Sequence, residues 1–155
     1  MSNELIMIEN LIHDHEAIRE HLKQVAKLAD DWEQLEQEDL DPTDPAITED
    51  LSFKHINLKQ TMGYLEDGIR QHQNYEDEIL PSLVGEQVMD ALKIEHSEIQ
   101  KQLKEIKFIL LNINPNGLLA NMDYLKLIIS NLCDLLNHHD EVENLILNLL
   151  KKKFI

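Results

Sequence analysis

Four histidines and two glutamates stand where leucine or isoleucine belongs: His15, His72, Glu76, His96, His139 and Glu143. Steps of three or four residues, the spacing of one buried helix face, trace four apolar seams along the chain. His15 interrupts the first, between Leu11 and Ile18. His72 and Glu76 interrupt the second, between Ile69 and Ile79. His96 lies between Leu92 and Ile99, and His139 with Glu143 between Leu136 and Ile146. An unpaired polar group in a core costs about 2–7 kcal/mol, depending on the reference state. Six of them call for a shared reason, and coordination of a buried metal supplies one.

The six residues form a repeat. Asp14-His15-Glu16-Ala17-Ile18 resembles Glu95-His96-Ser97-Glu98-Ile99. His72-x3-Glu76-x2-Ile79-Leu80 resembles His139-x3-Glu143-x2-Ile146-Leu147. Residues four apart share a helix face, so each His-x3-Glu pair can point at one centre. Two related halves predict two metals about a pseudo-two-fold axis. If His15 and His72 serve one cation, His96 and His139 serve the other, and both glutamates bridge, each cation has two nitrogens and two carboxylate oxygens. A solvent-derived bridge makes five ligands, which leaves one octahedral position open for dioxygen, peroxide or nitric oxide. Imidazole with carboxylate suits iron, manganese or zinc.

The elements that must hold these residues are read from the punctuation. Helices are expected from about Ser2 or Asn3 to Glu38, Thr48 to Leu80, Glu86 to Ile113, and Leu118 to the end. Asp41-Pro42-Thr43-Asp44-Pro45, Pro81 and Asn114-Pro115-Asn116-Gly117 separate them. Lys151, Lys152 and Lys153 suit a helix C-terminus. Short connections predict an all-α, antiparallel up-down-up-down four-helix bundle. His15 and His96 lie near helix starts, and the two His-x3-Glu pairs near helix ends. In such a bundle all six meet at one level. Gly63 and Gly68, inside the second helix, are read as marks of close packing or a bend.

Other residues take plainer readings. His138 rivals His139, but the seam and the repeat favour His139. His13 and His21 fall off the seam and are read as solvated. His55 precedes His72 by about 25 Å along the axis at ~1.5 Å per residue, and is read as a polar residue near a helix start. Tyr75, Asp14 and Glu95 neighbour the candidate ligands and could orient them. For Asp14 and Glu95, plain surface charge is the preferred reading. Cys133 lies in an apolar pattern and is read as packing.

With 155 residues the chain is expected to be one domain, 1–155, with a real core. Lys and Arg total 14 against 30 Asp and Glu, a formal charge of −16. That balance argues against nucleic acid or an anionic membrane as partner. One cysteine excludes an internal disulfide framework and suits a reducing, cytoplasmic compartment. No signal segment is expected, and no apolar run approaches the ~20 residues of a membrane span.

The ordered set His15, His-x3-Glu at 72 and 76, His96, and His-x3-Glu at 139 and 143 resembles the hemerythrin-like HHE cation-binding domain, over nearly the whole chain. The resemblance implies a four-helix bundle with two non-haem iron ions, carboxylate bridges and an oxo or hydroxo group. Oxygen-carrying members have a second histidine one turn after the third-helix ligand, where this chain has Gln100. They also place an aspartate five residues after the fourth-helix histidine, where this chain has Glu143 after four. The set is closer to bacterial members linked to nitric-oxide stress and iron–sulfur cluster repair. Those repair members usually carry a cysteine-containing N-terminal extension, which this sequence lacks. The leading expectation is a di-iron protein that binds or senses a small diatomic ligand, with peroxide also in view. The alternatives are a nitric-oxide or peroxide reductase or repair enzyme, an iron store or sensor, and a metal-free or zinc-stabilised interaction module. Ferritin-like Glu-x-x-His and protease-like His-Glu-x-x-His patterns are absent.

Overall fold

A computed structural model describes residues 2–38, 40–41 and 43–155. Among the described residues the chain is all-helical, with six helices: α1 (Asn3–Gln37), α2 (Pro45–Ile79), α3 (Pro81–Val84), α4 (Glu86–Asn112), α5 (Pro115–Ala120) and α6 (Met122–Phe154). Local chemistry sets the ends. Ser2 Oγ accepts the Leu5 N–H at 3.1 Å and opens α1. Asp44 accepts the Ala46 N–H at 3.0 Å, and Pro45 takes the first helical position, where its missing N–H costs nothing. The α2 helix therefore starts three residues before the expected Thr48. Pro42, expected to help break the chain here, lies outside the described residues.

Pro81 ends α2 as expected but opens the one-turn α3. Gly85, with φ of 85°, then turns the chain into α4. Asn114 caps α5 by accepting the Gly117 N–H at 2.6 Å. The expected fourth helix is thus split at Asn121 into α5 and α6. Gly63 and Gly68 interrupt nothing. A Cβ at Gly63 would meet no atom within 4 Å, and one at Gly68 would only touch Ile18 Cγ1 at 4.0 Å. Close packing does not explain them.

Of the four long helices, α1 packs on α2 and α6, and α4 packs on the same two. Their seams close into two apolar clusters. The larger holds Ile18 to Trp32 of α1, Leu51 to Ile69 of α2, Ile99 to Leu110 of α4 and Leu125 to Leu136 of α6, with Leu118 and Met122. The smaller holds Ile8, Leu11, Leu80, Met89, Leu92 and Leu147. Each fully buried Leu or Ile contributes roughly 1.5–3 kcal/mol, so the larger cluster carries most of the stability. On every long helix the candidate ligands fall between the two clusters. Along the chain, α1 and α4 pass from the smaller cluster to the larger, and α2 and α6 pass back. The six polar residues are held as a layer between two blocks of hydrocarbon. No helix among the described residues is long and apolar enough to cross a membrane.

Candidate metal centre

The structure brings all six sequence-predicted residues together. His15, His72, Glu76, His96, His139 and Glu143 are all buried, Glu76 and Glu143 almost wholly at 0% and 1% exposure. Their ligand-type atoms form two four-residue groups: His15, His72, Glu76 and Glu143, and Glu76, His96, His139 and Glu143. Within each group these atoms lie within 4.8 Å of one another. Both carboxylates belong to both groups.

Every imidazole turns Nε2 inward. His15 Nε2 lies 2.8 Å from Glu143 Oε1 and 3.8 Å from Glu76 Oε1. His72 Nε2 touches Glu76 Oε1 and lies 3.5 Å from Glu143 Oε1. His96 Nε2 lies 2.9 Å from Glu76 Oε2 and 3.3 Å from Glu143 Oε2. His139 Nε2 lies 2.5 Å from Glu143 Oε2. The rings pair edge to face, His15 with His72 at 4.6 Å between centroids and His96 with His139 at 4.9 Å.

The Nδ1 atoms face outward, and here sequence reasoning fell short. His72 Nδ1 meets Asp14 Oδ2 at 3.2 Å, and His139 Nδ1 meets Glu95 Oε2 at 3.0 Å. Asp14 and Glu95 are therefore not mere surface charge. They accept from the outer nitrogen and hold each ring with Nε2 free to face the centre. His15 Nδ1 meets Asn144 Oδ1 at 2.8 Å, while His96 Nδ1 faces Asp77 at 3.5 Å without completing a hydrogen bond. These partners follow the repeat. Asp14 and Glu95 each precede a lone histidine, and Asp77 and Asn144 each follow a glutamate. All four lie within the repeat as the sequence shows it, Asp14 and Glu95 as candidate orienting residues and Asp77 and Asn144 among its unassigned positions.

Tyr75 does not join this set. It packs against the smaller apolar cluster and lines an open groove of about 550 Å³ that also reaches His72. His138 is exposed on α6. His55 is buried far from the layer and donates through Nε2 to the Leu110 carbonyl at 2.8 Å, with burial lowering its pKa. His13 is exposed beside Glu16. His21 is half-buried against the Tyr64 ring rather than solvated. Cys133 is half-buried against the larger cluster, and burial pushes its thiol up.

Burial alone would strip the histidines of their protons, but the carboxylates more than reverse this. Contacts with Glu143 and Glu76 raise His15 and His96 to about 9 and His72 to about 11. His139 is raised in the same way, chiefly by Glu143. Burial would raise Glu76 and Glu143, but the facing imidazoles hold both below the usual carboxylate range. Without a cation, protons on the rings neutralise the two anions.

That balance is incomplete. Both oxygens of Glu76 and the Nε2 of His139 are buried without a hydrogen bond of proper geometry, although each has a close neighbour. Acceptors crowded around a common point suit a cation better than a proton network. The donor set, imidazole nitrogen and carboxylate oxygen, fits first-row metals.

Fold and site thus define a helical cation-binding domain. The chain matches the model of the hemerythrin HHE cation binding domain over residues 6–150, nearly its whole length, and belongs to that family. Neither a comparison with curated proteins nor one with solved structures gave a match.

Proposed function

We propose that this chain is a non-haem di-iron protein that binds or senses a small oxidant, dioxygen or nitric oxide. Two iron ions under an oxo or hydroxo bridge would be held by His15, His72, His96 and His139, with Glu76 and Glu143 shared between them. The observation that carries this reading is the membership of both glutamates in both four-residue groups. A single-cation site has no use for that sharing. Bound iron would supply the redox-active, ligand-binding chemistry.

The chain's own residues do the rest. The four imidazoles present Nε2, and outer hydrogen-bond partners fix the rings of His15, His72 and His139 before any cation arrives. The two apolar clusters exclude bulk water from above and below the layer, which strengthens electrostatic attraction inside it. Two open grooves reach the outer faces of His72 and His96 and give a small molecule an approach. The run of the long helices between the clusters supports an up-down-up-down bundle spanning 1–155 as one domain.

The test is metal analysis with optical spectroscopy. The protein is purified aerobically after growth with ample iron, then reduced and exposed in turn to dioxygen and nitric oxide. Two irons per chain and a reversible spectral change support the reading. One metal per chain, or zinc in place of iron, refutes it. Steady consumption of nitric oxide or peroxide would move the assignment to an enzyme.

A further inference from the structure

The two halves of the layer differ in the outer neighbour of the lone histidine, Asn144 at His15 against Asp77 at His96, and in one contacting pair of side chains close to the inward nitrogens. Asp140 directly follows His139, and its repeat counterpart is Gln73, which follows His72. Arg19 comes four residues after His15, and its counterpart is Gln100, four after His96. These four residues form two equivalent pairs with opposite chemistry. On one side Gln100 Nε2 donates to Gln73 Oε1 at 2.9 Å, a neutral amide pair in the groove beside His96. On the other side Asp140 Oδ2 lies 3.8 Å from Arg19 Nη2, and Asp140 Oδ1 lies 3.9 Å from His15 Nε2.

Asp140 is buried, with only 4% of its surface exposed, whereas the Arg19 side chain is 44% exposed. A half-exposed arginine at that distance is screened by solvent and repays little of the cost of burying the carboxylate. The carboxylate, which Arg19 offsets little, sits beside the inward nitrogen of His15. We infer that Asp140 is an additional anionic residue of the His15–His72 half, and that it makes the two cation positions inequivalent. This inference rests on the two-cation reading above. The His15–His72 position, with the extra carboxylate, fills first and holds its cation more tightly. The His96–His139 position, where the amides of Gln73 and Gln100 stand in place of Asp140 and Arg19, fills second.

The test titrates the metal-free, full-length chain with cobalt(II) under nitrogen, followed by calorimetry and by the visible absorption of the bound ion. The natural chain should take two ions in two resolved steps. Asp140→Asn should weaken one step by about ten- to a hundredfold and leave the other in place. Single-site backgrounds locate the effect. In a His96→Ala chain, Asp140→Asn should weaken the remaining ion, and in a His15→Ala chain it should change little. Gln73→Asp, which restores the symmetry, should tighten the weaker step and merge the two, and it tests the idea even if Asp140→Asn fails to fold. Equal loss in both backgrounds, or no loss in either, overturns the role given to Asp140. A natural chain that takes one ion or none refutes the two-cation reading itself, and this inference with it.

Discussion

Glu76 and Glu143 face each other across the helical layer, and each contributes an oxygen to both groups of candidate ligands. Each lies four residues after a histidine of its own helix and reaches a histidine of another: Glu76 meets His96, and Glu143 meets His15. If both carboxylates bridge, Glu76→Ala or Glu143→Ala should cost the chain both ions together. His15→Ala or His96→Ala should weaken mainly one. Metal content of the purified variants checks this, and half-stoichiometric loss in all four would show that the glutamates do not bridge.

Asp14 and Glu95 orient rings without being in either group. Removing an acceptor from the outer nitrogen frees the ring to rotate and lowers its basicity as a ligand. Asp14→Ala and Glu95→Ala should each reduce metal affinity by about tenfold. Asp14→Asn and Glu95→Gln keep an acceptor oxygen and should recover part of the loss. Competition with a chelator measures this, and affinities unchanged in the alanine variants would return both residues to the role of surface charge.

His138 and His139 test the register of α6. His139 faces the centre, whereas His138 is exposed. His139→Ala should strip or strongly shift the metal spectrum, with His138→Ala nearly silent. The loss should also appear as a lower melting temperature of the loaded protein relative to its metal-free form, because a ligand of the native state alone raises stability. Loss of metal from His138→Ala instead would mean that α6 is rotated by one residue.

Gly63 offers a check on the scaffold away from the site. It lies inside α2, and a methyl group there meets open space. Glycine within a helix costs about 0.5–1 kcal/mol relative to alanine. Gly63→Ala should therefore raise the urea midpoint by that equivalent and leave metal content unchanged. A destabilised variant would show that the position has a role the packing does not reveal.

The seam pattern was enough to read the long helices and the six-residue layer, because buried faces impose a strict spacing and each polar exception stands out against it. The repeat placed His139 rather than His138 inside. Three things escaped. The start of α2 was set by the cap at Asp44 rather than by hydrophobic spacing. The break at Asn121 falls within a continuous apolar pattern, so periodicity does not show it. Asp140 lies off the seam, and its placement beside His15 depends on how α6 packs against α1. A one-helix pattern holds no such information.

Acidity should act on the metal-free and metal-loaded chains in opposite senses. In the metal-free chain burial opposes charge on His15 and His96, but Glu143 and Glu76 lift both from the usual 6.5 to about 9, and His72 to about 11. A group raised on folding adds stability that is full below its unfolded pKa and is lost as pH rises through its folded one. The histidine contribution is thus present at pH 6.5 and fades through about 9. Glu76 and Glu143 are held low, so their contribution is present above about 4.5 and is lost as pH falls further. The metal-free chain should be most stable between these limits, and its melting temperature should drop from pH 6.5 to 9. Cation binding needs unprotonated imidazoles and must release those protons. Metal affinity, and the rise in melting temperature that metal gives, should therefore increase over the same interval. Calorimetry at pH 6.5 in buffers of different ionisation heat should register net proton release on binding. No release, together with a metal-free melting temperature that is flat across the interval, would show that the rings are neutral in the empty site and that the carboxylates hold the layer together in another way.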